Sequence, residues 1–503
     1  MRNLDLIEVE KNLYSDEKYQ LNDDQLEQAQ KSFDFLQHFS EDKLIYGINT
    51  GFGPMAQYRI RKDQLKDLQY NLIRSHANGL GEYFPDLYSH ATMISRLHSL
   101  SMGYSAASPD VLKSLEAFIR NSVYPLIPAH GGVGASGDLV QLAHLGQALI
   151  GEGRVRYRGE ERDTKTLLRE LNIAPVDLKL RDGLAILNGT SCMTGIGILN
   201  VIRAKRLMKW SIAAASLLNE ITESYSDAFS ETLNAAKKHT GQHQVAREMR
   251  KLLIDSKLIR KRPEHLFNGD EIKDTYFFTD KIQEYYSLRC VPQIIGPIYD
   301  AIENAEIVVI NELNSASDNP IVCMSERDVL HGGNFHGDYV SFEMDKLKIG
   351  ITKLSILLER QINYLLNPAL NGKFPAFLNK GIPGLNYGLQ GVQFTAVSNA
   401  AENQSLSFPA SIHSISNNGD NQDVVSMGTN ASWMTKRVID NGFEILSIKM
   451  LTLAHALEIK GNYEKVSSAG ISLLEQIRQE IPDFKEDTSY SVHLRKLIKK
   501  LDQ

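Results

Sequence analysis

Between Met193 and Ala236 the chain reads MTGIGILNVIRAKRLMKWSIAAASLLNEITESYSDAFSETLNAA, without a proline and with apolar residues recurring three and four positions apart. Such a run exceeds an ordinary globular helix, so it predicts either one long bundle helix or two helices with a bend. Similar periodicity occupies Ile294–Glu312, Ser341–Leu366 and Val438–Ile459. Several long helices predict a mainly α fold built as a bundle. Strand signals are brief: RVRYRGEERDT from Arg154 reads as a hairpin turning at Arg158 and Gly159, and PIVCMSERDVLHGG from Pro320 as another turning at Glu326 and Arg327. Up to about residue 190 the sequence is loop-rich, with glycine clusters at 47–53, 79–81 and 131–137. The expected organisation is a loop-rich N-terminal domain over 1–190, a central long-helix bundle over 191–464, and a C-terminal helical part over 465–503, where the pattern changes register at Pro482.

Gly132, Gly134 and Gly137 spell GxGxxG, the spacing of a loop that cradles a dinucleotide phosphate. That loop needs a buried strand before its first glycine, and here the preceding NSVYPLIPAH carries Pro125 and Pro128, which break a central strand. A helix does follow, with Asp138 as its expected cap and Leu139, Leu142, Ala143 and Leu149 on its apolar face. By themselves the glycines also describe a plain turn in which Gly134 and Gly137 supply positive backbone dihedrals. Ala135-Ser136-Gly137 adds a third possibility. Three residues this small let the amide nitrogen of Gly137 reach the carbonyl carbon of Ala135. Cyclisation with loss of water there and from Ser136 gives a methylidene-imidazolone, an electrophile made from the chain itself.

GGVGASGDL resembles the prosthetic-group loop of the aromatic amino acid ammonia-lyases, the histidine, phenylalanine and tyrosine lyases and their related aminomutases. YGINTGFGPMA from Tyr46, SHANGLG from Ser75, LAILNGTS from Leu184, EYYSLRCVPQ from Glu284, NSASDNP from Asn314, GGNFHGDYV from Gly332 and NQDVVSMGT from Asn421 are similar to further family blocks, in the family's order. The resemblance covers about residues 40–460. It departs from the family at GDLVQLAH, where Val140 and Gln141 replace the usual alanine and proline, and at Gly132, where many relatives have serine. Neither departure touches the cyclising triplet.

The resemblance implies an ammonia-lyase whose electrophile is a 4-methylidene-imidazol-5-one formed from Ala135, Ser136 and Gly137, with no external cofactor. Capture of the substrate amine makes nitrogen a better leaving group. The β-hydrogen still needs a base, which the resemblance assigns to Tyr46, in surroundings that favour a phenolate. Arg289 is the expected clamp on the substrate carboxylate, since a guanidinium offers a planar fork. Tyr286, three residues earlier, is a second phenol near the amine. Asn188 would hold the ring or the carboxylate, and Phe335 would wall the substrate ring.

Substrate choice is expected to rest on His76, Asn421 and Gln422. His76, preceded by Ser75, resembles the Ser-His pair of histidine lyases, but those enzymes carry a glutamate where Gln422 stands. IHSISNNGDNQDVVSMGT from Ile412 is instead similar to bacterial tyrosine lyases. A buried His76 left without a partner would cost roughly 1–3 kcal/mol, and a phenol would satisfy it. The expected reaction is L-tyrosine to trans-p-coumarate, with L-histidine to urocanate as the alternative and an aromatic aminomutase beside both. The resemblance also implies a homotetramer with each active site shared between subunits.

Composition bounds the remaining classes. A net charge of −6, without long like-charged blocks, offers no stripe for nucleic-acid phosphates. No segment is long and apolar enough for a signal core or a membrane span, so a cytoplasmic address without membrane association is expected. Cys192, Cys290 and Cys323 are far apart and form no metal or disulfide pattern. His331 with His336, and His130 with His144, lack the cysteine or carboxylate partners of a tetrahedral site, so no metal is expected.

Overall fold

The computed structural model describes residues 2–267, 276–277 and 281–503. The architecture is mainly α. The chain forms two compact units, each assembled from separated stretches: one from Met1–Ile202, Ala305–Asp345 and Pro409–Lys436, the other from Arg203–Asn304, Lys346–Phe408 and Arg437–Gln503.

The longest helices are Ser191–Ile221, Val291–Leu313, Asp338–Leu366 and Gly428–Lys460. The last three each cover one of the periodic stretches of the sequence, and Ser191–Ile221 covers the first part of Met193–Ala236. Ser191–Ile221 is buried on nearly every side, the condition in which a helix carries apolar or small residues all round. The periodicity continues to Ala236 but the helix does not. Glu223 turns into the left-handed region at φ 58°, and the Ser224 amide folds back to the Asn219 carbonyl at 2.9 Å, closing the helix end. The chain resumes as a short helix at Glu231–Ala235.

In the first unit, the helices Asp86–Ser101, Pro109–Arg120 and Leu139–Leu149 bury Met93, Leu97, Leu112, Leu115, Phe118, Leu142 and Leu145 almost completely. Burying each such side chain favours the fold by about 1.5–3 kcal/mol. Strands are short and antiparallel. The hairpin of Arg154–Tyr157 and Glu160–Asp163 turns through Arg158 and Gly159, both at positive φ, as a two-residue turn requires. Ile321–Cys323 pairs with Asp328–Leu330 in the second hairpin. Before the glycine loop stand only Tyr124–Pro125 and Pro128–His130, paired antiparallel with Arg154–Tyr157 and Leu80–Tyr83 respectively. Among the described residues the central parallel strand of a dinucleotide fold is not there.

The second unit is fastened by charge. Glu223 accepts from Lys460, Lys373 and Arg260, the last two at 2.9 and 2.6 Å. Burial pushes this carboxyl up, but the three cations outweigh burial and hold it at about 2. Arg203 similarly pairs with Asp440 and Asp502 at 2.7 and 2.9 Å. The one His–carboxylate grouping compact enough for a metal among the described residues is His455, Glu458 and Asp483. Lys380 already bridges both carboxylates and Arg478 meets Glu458, so that grouping is an ion-pair network. Among the described residues no helix is long and apolar enough to cross a membrane.

Candidate active site

The glycine loop is a tight turn in which Gly134 and Gly137 face each other as an antiparallel bridge, leaving Ala135 and Ser136 at the corners. Ser136 adopts φ 57°, a region that non-glycine residues enter at a cost of about 1–3 kcal/mol. Its surroundings hold it there. Its carbonyl oxygen accepts from the Gly189 amide and from Asn188 Nδ2, both at 3.3 Å, and its Oγ accepts from Gln422 Nε2 at 3.2 Å. Asn188 is fixed from its other side, since its Oδ1 accepts the Asn319 amide at 2.8 Å. Gly137 lies at φ 77°, and a Cβ on it would stand 2.1 Å from the Gly189 carbonyl oxygen. The cradle therefore admits glycine alone at that corner, and the small-residue triplet fits the self-cyclised group of the sequence reading.

Asp138 does not cap the helix it precedes. Its carboxylate accepts from the Cys192 and Met193 amides at 2.9 and 2.8 Å and from the Thr429 hydroxyl. The first-turn amides of the buried Ser191–Ile221 helix have no partners within their own helix, and Asp138 supplies them. Burial raises this carboxyl to about 6, against the lowering pull of Thr429, the two amides and Arg96. The same side chain thereby ties the loop to the starts of two long helices.

A cavity of about 410 Å³ opens over the turn, within the size range of small-molecule sites. Tyr46, His76, Ala135, Ser136, Asn188, Phe335, Asn421 and Gln422 all line it. The Tyr46 oxygen accepts the Gly53 amide at 3.1 Å, and its ring meets Phe52 edge-on at 6.2 Å. His76 is half-buried rather than buried, because it ends the Leu65–His76 helix. Its Nδ1 lies 2.9 Å from the Leu72 carbonyl, an acceptor only, so the proton is assigned to Nδ1 and Nε2 is the ring's acceptor. The turn after it is held by His144, whose Nε2 accepts the Gly79 amide at 3.1 Å; burial lowers His144 to about 4, which keeps it neutral.

Asn319, Asn418 and His336 also line the cavity, without having been singled out as substrate contacts by the sequence. His336 pairs with Asp338 at 2.9 Å. Tyr286 and Arg289 belong to the second unit and line no part of this cavity. They form the short helix Tyr286–Arg289, with the Arg289 guanidinium 4.9 Å from the Tyr286 ring centre. Arg289 Nε is buried without a hydrogen-bond partner among the described residues, and the residue borders a hollow with Glu284 and Gln293.

Residues 4–479 match the family described as aromatic amino acid lyase. The chain is 39% identical to a tyrosine 2,3-aminomutase of Chondromyces crocatus over 93% of this chain and 89% of that one. It is 36% identical to a histidine ammonia-lyase of Staphylococcus aureus over 99% and 96%. A phenylalanine aminomutase of Pantoea agglomerans superposes with a TM-score of 0.96, at 32% identity, covering 100% of this chain and 98% of that one. With its glycine turn, its cavity and these likenesses taken together, the chain belongs to the aromatic amino acid lyase family, whose members include the ammonia-lyases and aminomutases.

Proposed function

We propose that this chain removes ammonia from L-tyrosine to give trans-p-coumarate. The observation that carries the reading is one cavity lined by a phenol, an imidazole with a free acceptor and the Ala135–Gly137 turn. Once formed, the methylidene-imidazolone supplies an electron-poor alkene that captures the substrate amine. The other roles fall to ordinary side chains. Tyr46 takes the β-hydrogen, and the Gly53 amide donates a hydrogen bond to its oxygen, holding it in place. His76 Nε2 accepts the substrate hydroxyl, Phe335 lies along the aromatic ring, and Asn421 and Gln422 line the same space. Asn188 holds the ring carbonyl. Arg289 clamps the carboxylate with its planar guanidinium and Tyr286 stands by the amine, both delivered by another copy in a homotetramer.

A second reading is an aminomutase, favoured by the tyrosine 2,3-aminomutase likeness. Both are tested by incubating the purified chain with L-tyrosine, L-phenylalanine and L-histidine and separating the products. The proposal expects p-coumarate and free ammonia, with tyrosine used fastest. Accumulating β-tyrosine selects the aminomutase, and preferred urocanate formation selects a histidine lyase. The intact chain is expected to be lighter than its sequence by two waters, and Ser136→Ala to abolish both that loss and turnover.

A further inference from the structure

The two donors on the Ser136 oxygen sit on a turn that rests on a buried charge. Arg96, on the Asp86–Ser101 helix, has no solvent exposure. Its Nη2 donates to the carbonyls of Ala185 and Asn188, the latter at 2.8 Å, and its Nη1 to Ser191 Oγ at 3.4 Å. The Gly189 peptide lies directly against it, since a Cβ on Gly189 would stand 2.3 Å from Nη1. All three of these acceptors are uncharged. Asp318, in the same core, is paired with Arg181 at 3.0 Å. Burial lowers Arg96 to about 10, opposed by Asp318 and Asp138, so the guanidinium remains charged at neutral pH.

A buried cation held only by neutral acceptors is costly to keep. Carbonyls alone could be satisfied by a neutral donor. What the charge adds becomes clear from the chemistry of ring closure. The Gly137 nitrogen bonds to the Ala135 carbonyl carbon, and the Ala135 oxygen leaves as water with the hydrogens of the Gly137 and Ser136 amides. A second water takes the Ser136 hydroxyl and its Cα hydrogen. As the Cα–H bond breaks, its electron pair spreads onto the Ser136 carbonyl oxygen before expelling the hydroxyl, toward which Gln422 Nε2 donates. Negative charge therefore arises on the one oxygen that Asn188 Nδ2 and the Gly189 amide both face.

We propose, resting on the ring-forming reading above, that Arg96 is the positioning residue for this step. It fixes the Asn188 carbonyl so that the two donors converge on Ser136, and its charge offsets the charge gained there. The test is intact-mass analysis of purified full-length wild type, Arg96→Lys and Arg96→Met over time after expression is stopped, with folding followed by circular dichroism and KM and kcat measured on the matured fraction. Lysine keeps the cation and one carbonyl contact. Arg96→Lys is expected to fold and to lose its two waters about tenfold more slowly or worse, with KM unchanged in the matured fraction. Arg96→Met, where folded, is expected to stay at its sequence mass.

A folded Arg96→Met that matures at the wild-type rate overturns the proposal. So does an Arg96→Lys that fails to fold, which makes the residue purely structural, or one that matures normally. A wild-type chain at full sequence mass overturns the ring reading itself, a result distinct from an Arg96 variant matching a matured wild type.

Discussion

Replacing Asp138 with asparagine separates the worth of its hydrogen bonds from the cost of its charge. The carboxyl is wholly buried and raised from its ordinary 3.8 to about 6. Keeping it ionised inside the fold therefore costs about 3 kcal/mol relative to the unfolded chain. Because the folded value is the higher one, the protonated group favours the fold fully below about pH 4, and that advantage is lost as pH rises through about 6. Asparagine has no such dependence. It also turns one acceptor into a donor facing the Cys192 and Met193 amides or the Thr429 hydroxyl, a fixed penalty of about 1–3 kcal/mol. The variant should thus be clearly less stable than the wild type near pH 4.5, and the gap should narrow or reverse by pH 7.5. For a chain of this length unfolding as a whole, 3 kcal/mol corresponds to about 3 °C in Tm. Scanning calorimetry of both proteins across that pH range, compared as a difference, reads this directly. A Tm difference that stays constant with pH would refute the claim that burial controls the ionisation of Asp138.

Three further outcomes are expected. Tyr46→Phe should leave the two-water mass loss intact while lowering kcat by about 10²–10⁴, as removal of a proton-transfer group does; unchanged turnover would remove Tyr46 from the chemistry. His76→Phe should move preference from tyrosine toward phenylalanine, measured as the ratio of kcat/KM values, and an unaltered substrate order would show that His76 does not touch the ring. Glu223→Gln should lower Tm at neutral pH. Since Glu223 is held at about 2, below its ordinary 4.5, its contribution is present above pH 4.5 and fades as pH falls toward 2, so the two melting curves should approach each other on acidification.

Long periodic runs were legible because a helix buried on one or more faces writes its period into the sequence locally. Hence Asp338–Leu366 starts three residues before its apolar pattern and Gly428–Lys460 ten before, and both end within one residue of it. Both hairpins were legible for the same reason, each being announced by its own turn residues. Asp138 was misread because the amides it serves lie 54 and 55 positions away, and the Thr429 hydroxyl 291 away. Local rules offered only its own helix as a target. Arg96 was not singled out in the sequence at all. It passes without notice in MISRLHSLSMGYS, yet it is fully enclosed, and only the far-off turn at Ala185–Ser191 explains why. The residues lining the candidate site fall largely within short family-like blocks, and Asn319 and Asn418 lie in two of them, NSASDNP and IHSISNNGDNQDVVSMGT, but which residues of a block face the cavity emerges only once the separate blocks are folded together.

The unit that holds the cavity takes its last stretch from residues 409–436. A ribosome finishes Gly137 some 300 residues earlier, which at about 5–20 residues per second is a delay of about 15–60 s. Throughout that interval the nascent triplet lacks Gln422 on its hydroxyl and Thr429 on the neighbouring carboxylate. On the proposed ring-forming reading, self-modification would therefore wait for residues 409–436, and a polypeptide interrupted before that stretch would carry the tripeptide in its unprocessed form.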